Sequence, residues 1–177
     1  MGAIVDAANC TVAPAAGGAW LVTKTGGADG ASDASAVSAA AITGDVVLRM
    51  RPLGAGLCYA GLSASPAAGI DETTIDRALQ LNGGLCRAVE SGAFRPGSFA
   101  LATYAWIRRS GGLVQYLTGP LLATATLRRS VADAGAPLFF DSAIAAAGLA
   151  IEVKFDVPAA FAPRRAGRRG LALGFGF

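Results

Sequence analysis

The chain has 177 residues, of which 53% are hydrophobic and only 15% charged, with a net charge of +3. That is one domain's length of chain, apolar enough to build a core and too weakly charged for disorder. It contains no histidine and three widely spaced cysteines, which excludes a histidine-based triad and a zinc centre.

Each cysteine, Cys10, Cys58 and Cys86, lies inside an apolar run, where a buried reduced thiol is expected. No apolar run approaches a bilayer-spanning length, so no membrane insertion is expected. The opening Met1-Gly2-Ala3-Ile4-Val5-Asp6 has no basic region and no continuous apolar stretch, so no signal peptide is read there. Asp6 stands where a myristoylation motif wants Ser or Thr. Synthesis in the cytoplasm is the expectation.

In chain order, short β-like runs follow one another between glycine turns. Strands are expected at residues 10–13, 19–23 and 35–39. Val46, Leu48 and Met50 then alternate with Val47, Arg49 and Arg51, the period of a strand with one buried face. A further strand is expected at residues 56–62. Residues 77–81 and 85–89 flank Asn82-Gly83-Gly84, a hairpin turn that tolerates positive φ. Residues 106–109 and 113–116 flank Ser110-Gly111-Gly112 in the same way. A turn at Thr118-Gly119-Pro120 leads to an expected strand at residues 121–126. Strands at 137–141 and 151–156 close the series. In the last, Ile151, Val153 and Phe155 face one way and Glu152, Lys154 and Asp156 the other.

Consecutive hairpins make antiparallel sheets that must bury a face, and with no long helix available the cover is a second sheet. Two alanine-rich stretches, residues 32–42 and 141–147, conflict with this reading. Each has Asp or Ser at a plausible N-cap, and propensity alone makes both helical. Only one short helical turn, in the second stretch, fits a sandwich.

A boundary falls at Asp156, dividing a sandwich at residues 1–156 from an extended arm at 157–177. The arm carries Arg164, Arg165, Arg168 and Arg169, then Leu171, Leu173, Phe175 and Phe177, which share one face of an extended strand. An end this apolar either packs on its own domain or augments a sheet of a neighbouring chain. The arginines suit forked contacts to carboxylates of a partner, so docking of the arm on a neighbouring subunit is expected.

The order of these runs resembles the concanavalin A-like (laminin G-like) jelly-roll modules of phage virions and bacterial surface proteins. The resemblance rests on Thr23-Lys24-Thr25-Gly26-Gly27 and Ala36-Val37-Ser38 early in the chain. It continues through Gly61-Leu62-Ser63, Thr74-Ile75-Asp76-Arg77-Ala78-Leu79 and Gly112-Leu113-Val114-Gln115-Tyr116. It ends with Pro137-Leu138-Phe139-Phe140-Asp141 and residues 151–155. Arg77 departs from the pattern by standing where an aromatic is usual.

The resemblance covers about residues 8–156 and implies an all-β, antiparallel two-sheet jelly roll. It also implies a fibre or head-spike component of a virion, a homo-oligomer associated with other virion structural proteins and binding host surface polysaccharide. Motifs of this kind specify a fold and not a chemistry.

Hydrolases of this superfamily carry an E-x-D-x-E strand, which is absent here. The nearest carboxylates are Asp71, Glu72 and Asp76, and neighbours in sequence face opposite sides of a strand. No catalytic residue, metal site or cofactor is expected. A glycan site needs an aromatic platform and polar partners. The candidate platforms are Tyr59, Tyr104 and Trp106, and the candidate partners are Asp76, Arg77 and Gln115. Tyr59 and one of Tyr104 or Trp106 are expected in the core. Arg108, Arg109, Arg128 and Arg129 are read as outward charges. Without a broad basic face, nucleic-acid binding is not expected.

Overall fold

A computed structural model describes residues 4–66, 72–101 and 103–156. Asp71 and the arm residues Arg164, Arg165, Arg168, Arg169, Leu171, Leu173, Phe175 and Phe177 lie outside the described residues.

The described chain forms two antiparallel sheets. Sheet I runs in the order β1 (Ile4–Ala8), β4 (Ser35–Ser38), β14 (Phe139–Ile144), β6 (Leu57–Ser63), β7 (Arg77–Asn82), β8 (Leu85–Glu90) and β10 (Phe99–Ala100). The short β9 (Ala93–Phe94) also pairs with β8. Sheet II runs in the order β13 (Thr126–Ala132), β12 (Leu113–Gly119), β11 (Tyr104–Ser110), β5 (Val46–Pro52), β15 (Ala150–Asp156), β3 (Ala19–Lys24) and β2 (Cys10–Ala15). The two sheets pack face to face as a jelly-roll sandwich.

The core is made by alternation. Sheet II turns Val46, Leu48 and Met50 of β5 and Ile151 and Val153 of β15 inward. Sheet I answers with Cys58, Ala60 and Leu62 of β6, Leu79 and Leu81 of β7, and Phe140 of β14. Each buried Leu, Ile or Phe side chain contributes about 1.5–3 kcal/mol over leaving it exposed. All three cysteines are free and buried, as expected. Burial pushes the Cys58 thiol up to about 12 and the Cys86 thiol up to about 11, so both stay protonated and unreactive.

Both hairpins form where expected, with one difference. Asn82 stays in the ladder opposite Leu85, and the turn is Gly83-Gly84, with φ of +56° and +81°. Gly111 and Gly112 repeat this with φ of +59° and +75°. Paired positive φ matches the right-handed twist of the strands, and glycine adopts it without strain.

Two expectations fail. Residues 121–126 are not a strand: Leu122–Thr124 is a 3-10 turn, and the strand begins at Thr126. β13 hides this in the sequence because it is largely exposed and has no clean alternation. The alanine-rich stretches form no helix, and the short helical turn allowed in the second is absent; the first supplies β4, where a strand was expected, and the second supplies the end of β14. Hydroxyls lock these two strands together. Ser142 Oγ donates to the Ala36 carbonyl at 3.1 Å and accepts from the Ala36 amide at 3.0 Å. The Phe140 amide donates to Ser38 Oγ at 3.0 Å. Tertiary pairing overrides local helix propensity here.

Candidate ligand-binding cleft

The six residues expected to bind a glycan do not converge. Tyr59 is 2% exposed and packs with Ile75, Ala78, Val89 and Ala143 on the outer face of sheet I. Its hydroxyl accepts from Gln80 Nε2 at 2.8 Å, and burial raises its pKa above the ordinary phenol value. Trp106 is 5% exposed, with Nε1 donating to the Gly119 carbonyl at 3.0 Å. Neither ring offers a stacking face, in line with the expectation that Tyr59 and one of Tyr104 or Trp106 are buried, and both take structural roles.

Tyr104 is half-buried on the outer face of sheet II, 5.7 Å from Trp106 edge to face. Its ring is already covered by the guanidiniums of Arg49 and Arg51, at 4.4 and 5.3 Å. Both arginines also reach Glu152, at 2.8 and 2.6 Å. On the same face Gln115 accepts from Arg108 Nε at 2.7 Å.

Asp76 and Arg77 behave differently. They stand at the entry to β7 and line an open cleft of about 230 Å³ with Ala64, Ser91, Asp133, Ala134, Ala136 and Leu138. Asp76 is held by the Ala64 amide, which donates to its Oδ2 at 2.7 Å. Its carbonyl accepts from Arg77 Nη1 at 2.8 Å and from the Ser91 amide at 3.0 Å. The opposite wall is fixed by Arg109, which is 3% exposed and therefore not the outward charge expected. Arg109 donates to Asp133 Oδ2 at 2.5 Å, to the Ala136 carbonyl at 2.6 Å and to the Ile42 carbonyl at 3.2 Å.

Behind this cleft a charged group closes the side of the sandwich. Glu90, 3% exposed, accepts from Arg129 Nε and Nη2 at 2.7 and 3.0 Å, and Arg95 lies 2.7 Å away. Arg129 is thus a cross-sheet clamp and not a free outward charge. Burial acts to raise the Glu90 carboxyl, but Arg129, Arg95 and Arg77 outweigh it and hold the group below its ordinary range. Tyr116, fully buried beside them, has a hydroxyl with no hydrogen-bond partner, and burial pushes it far above the phenol range.

Asp141 stands apart. It is 2% exposed on the outer face of sheet I, opposite Gly61 and Val37. Its Oδ2 has no hydrogen-bond partner. Burial, helped by the charge of Asp76 and opposed by the Ser142 amide, raises its carboxyl to about 7. Among the described residues no group of three or more carboxylates and thiols is placed to hold a metal ion.

Ser91, Asp133 and Glu90 were not singled out in the sequence, and Arg109 was read there only as an outward charge. The strand period does carry a signal for two of them. Ile107 faces inward, so Arg109 does too; Cys86 and Ala88 face inward, so Glu90 does too. A charge on an inward position near a strand end marks the rim of the sandwich.

No family model and no curated protein sequence matches the chain. Solved structures do match its shape. The PSpry domain of TRIM65 superposes with a TM-score of 0.61 at 10% identity, over 84% of this chain and 88% of that one. The SPRY domain of human HERC1 gives 0.53 at 11% identity, over 78% and 89%. Stonustoxin gives 0.57 at 8% identity, over 85% of this chain and 26% of that one. The fold is the concanavalin A-like jelly roll. At these identities the likeness extends to the fold alone.

Proposed function

We propose that this jelly roll is a non-enzymatic binding module, displayed on the surface of a phage or phage-like particle, that takes a polar sugar unit of a host surface glycan in the cleft at Arg77. The observation that carries the reading is the convergence of Asp76, Arg77, Ser91 and Asp133 on one open cleft. Carboxylates accept from sugar hydroxyls, and a guanidinium donates to ring or hydroxyl oxygens. The walls are pre-set by backbone bonds and by buried Arg109, so little ordering is required on binding.

The cleft favours binding over hydrolysis. Glycoside hydrolysis needs a carboxyl held protonated beside the scissile bond. The carboxyl raised to about 7 is Asp141, which is buried on the outer face of sheet I and does not line the cleft. The virion setting rests on the motif resemblance.

The test is binding of the intact protein to panels of purified capsular polysaccharide and lipopolysaccharide, with Arg77→Ala alongside. We predict a retained glycan for the wild type and at least a roughly tenfold weaker one for Arg77→Ala, the loss of one charged hydrogen-bonding group. Release of reducing ends from any of these polysaccharides contradicts the non-enzymatic reading. Absence of the protein from purified particles contradicts the virion reading. Presence in particles without any glycan binding favours a purely structural decoration module instead.

A further inference from the structure

Sheet II ends in an open edge. β13 pairs with β12 alone, and along its other side no backbone ladder partner occurs among the described residues. Its burial pattern is largely exposed over all seven residues. The other sheet edges are shorter or interrupted. β10 has two residues, β1 has five with a register shift between Asp6 and Ala8, and β2 contains Pro14, which lacks a donor. β13 has no proline. Its two arginines are tied back to their own chain, Arg129 to Glu90 and Arg128 to Thr118 Oγ1 at 2.8 Å, and neither extends along the open edge. A long, unguarded edge strand invites another strand.

We propose that residues 171–177 are that strand, pairing antiparallel with β13 of the same chain. Seven residues meet seven. The direction also fits. Sheet II alternates strand direction throughout, so β13 runs parallel to β15. The described chain leaves β15 at Asp156, which stands level with Ser130 through Val47, Arg108 and Gln115. It therefore departs near the C-terminal end of β13, where an antiparallel neighbour begins.

The lateral gap from β15 to a strand beyond β13 is five strand spacings, about 24 Å. Residues 157–170 reach up to about 46 Å when extended, enough to cross it. The side chains match as well. Leu127 and Leu113, 51% and 40% exposed, lie on the outer face of sheet II. Leu171, Leu173, Phe175 and Phe177 would cover that face, while Ala172, Gly174 and Gly176 leave room beside the Arg129–Glu90 pair.

The test is amide hydrogen exchange on the intact chain, beside Phe175→Pro in the same full-length chain, each at two protein concentrations. In the intact protein every β13 amide is expected to be protected. Proline removes a donor and fixes φ, so Phe175→Pro is expected to speed exchange of alternate β13 amides by roughly 100-fold or more while β5 and β15 stay slow. Unprotected alternate β13 amides in the intact chain overturn the proposal. So does unchanged protection in Phe175→Pro, with β5 and β15 reporting an intact fold. Protection that appears only at the higher concentration also overturns it, because the added strand then comes from another copy.

Discussion

Lys24 shows how a motif residue becomes structural. It ends β3, and its side chain is fully buried. Its ammonium donates to the carbonyls of Ala28, Ala31 and Ala145 and to Asp33 Oδ1, at 2.7, 2.7, 3.0 and 2.5 Å. Three N–H bonds serve four oxygens, so the cation organises the whole loop after β3. Gly27 is part of the same device: with φ at +78°, a Cβ there would run into the Asp33 carboxylate. Lys24→Met keeps the stem and removes the charge. We predict a loss of about 2–3 kcal/mol in urea unfolding, because the carbonyls of Ala28, Ala31 and Ala145 lose the ammonium that donates to them. Asp141 makes a second prediction at this scale. Unfolded, it titrates near the ordinary carboxylate value; folded, it does so at about 7. Between these values the folded chain holds a proton that the unfolded chain has released. Stability therefore falls as pH rises through that window, by up to about 1.4 kcal/mol per unit, and levels off above it. Asp141→Asn mimics the neutral acid and should flatten the profile in chemical denaturation at a series of pH values. A profile that keeps its slope in Asp141→Asn would place the titration elsewhere.

At the scale of elements, the strands with one buried face were legible and the others were not. β5 and β15 announce themselves because Val46, Leu48, Met50, Ile151 and Val153 must reach the core. β13 carries little burial and so has no period to read. β4 and β14 lie in or beside alanine-rich stretches whose propensity competes for helix; what holds them as strands is the hydroxyl of Ser142 and that of Ser38, each bonded to a residue about a hundred positions away in sequence. Gly61 of β6 has a similarly distant cause: a Cβ there would run into the Arg77 carbonyl of β7. Gly61→Ala is predicted to destabilise by about 1–3 kcal/mol or more, measured by thermal unfolding, because backbone and not a flexible side chain must move. Between sheets, Glu90 ties β8 to Arg129 of β13. We expect Glu90→Gln to cost only about 1 kcal/mol in the same assay, since both guanidiniums facing it are about a third exposed and screened by water.

For the whole molecule, the motifs that suggested a superfamily are now accounted for as fold devices. Lys24 closes a loop, Ser38 and Ser142 join two strands, Gly61 lets β6 approach β7, and Ser63 Oγ holds the Thr74 carbonyl at 3.1 Å. The jelly roll was therefore readable from the order of runs, whereas the site was read only in part. Asp76 and Arg77 were found, but Tyr59, Trp106, Tyr104 and Gln115 were drawn in by residue type, and their hydroxyl, indole, ring and amide are all engaged within the fold. Burial and partner choice depend on which face a residue takes and what crosses above it, and one sequence does not carry that.

The central claim is that the Asp76–Arg77–Asp133 cleft is the binding face. Chemical-shift mapping of the labelled chain against host-surface oligosaccharides tests it most directly. The account predicts shifts confined to Ala64, Asp76, Arg77, Ser91 and residues 133–138, lost in Arg77→Ala. Shifts centred on Tyr104 and Arg49 of the outer face of sheet II, with the cleft silent, would contradict it.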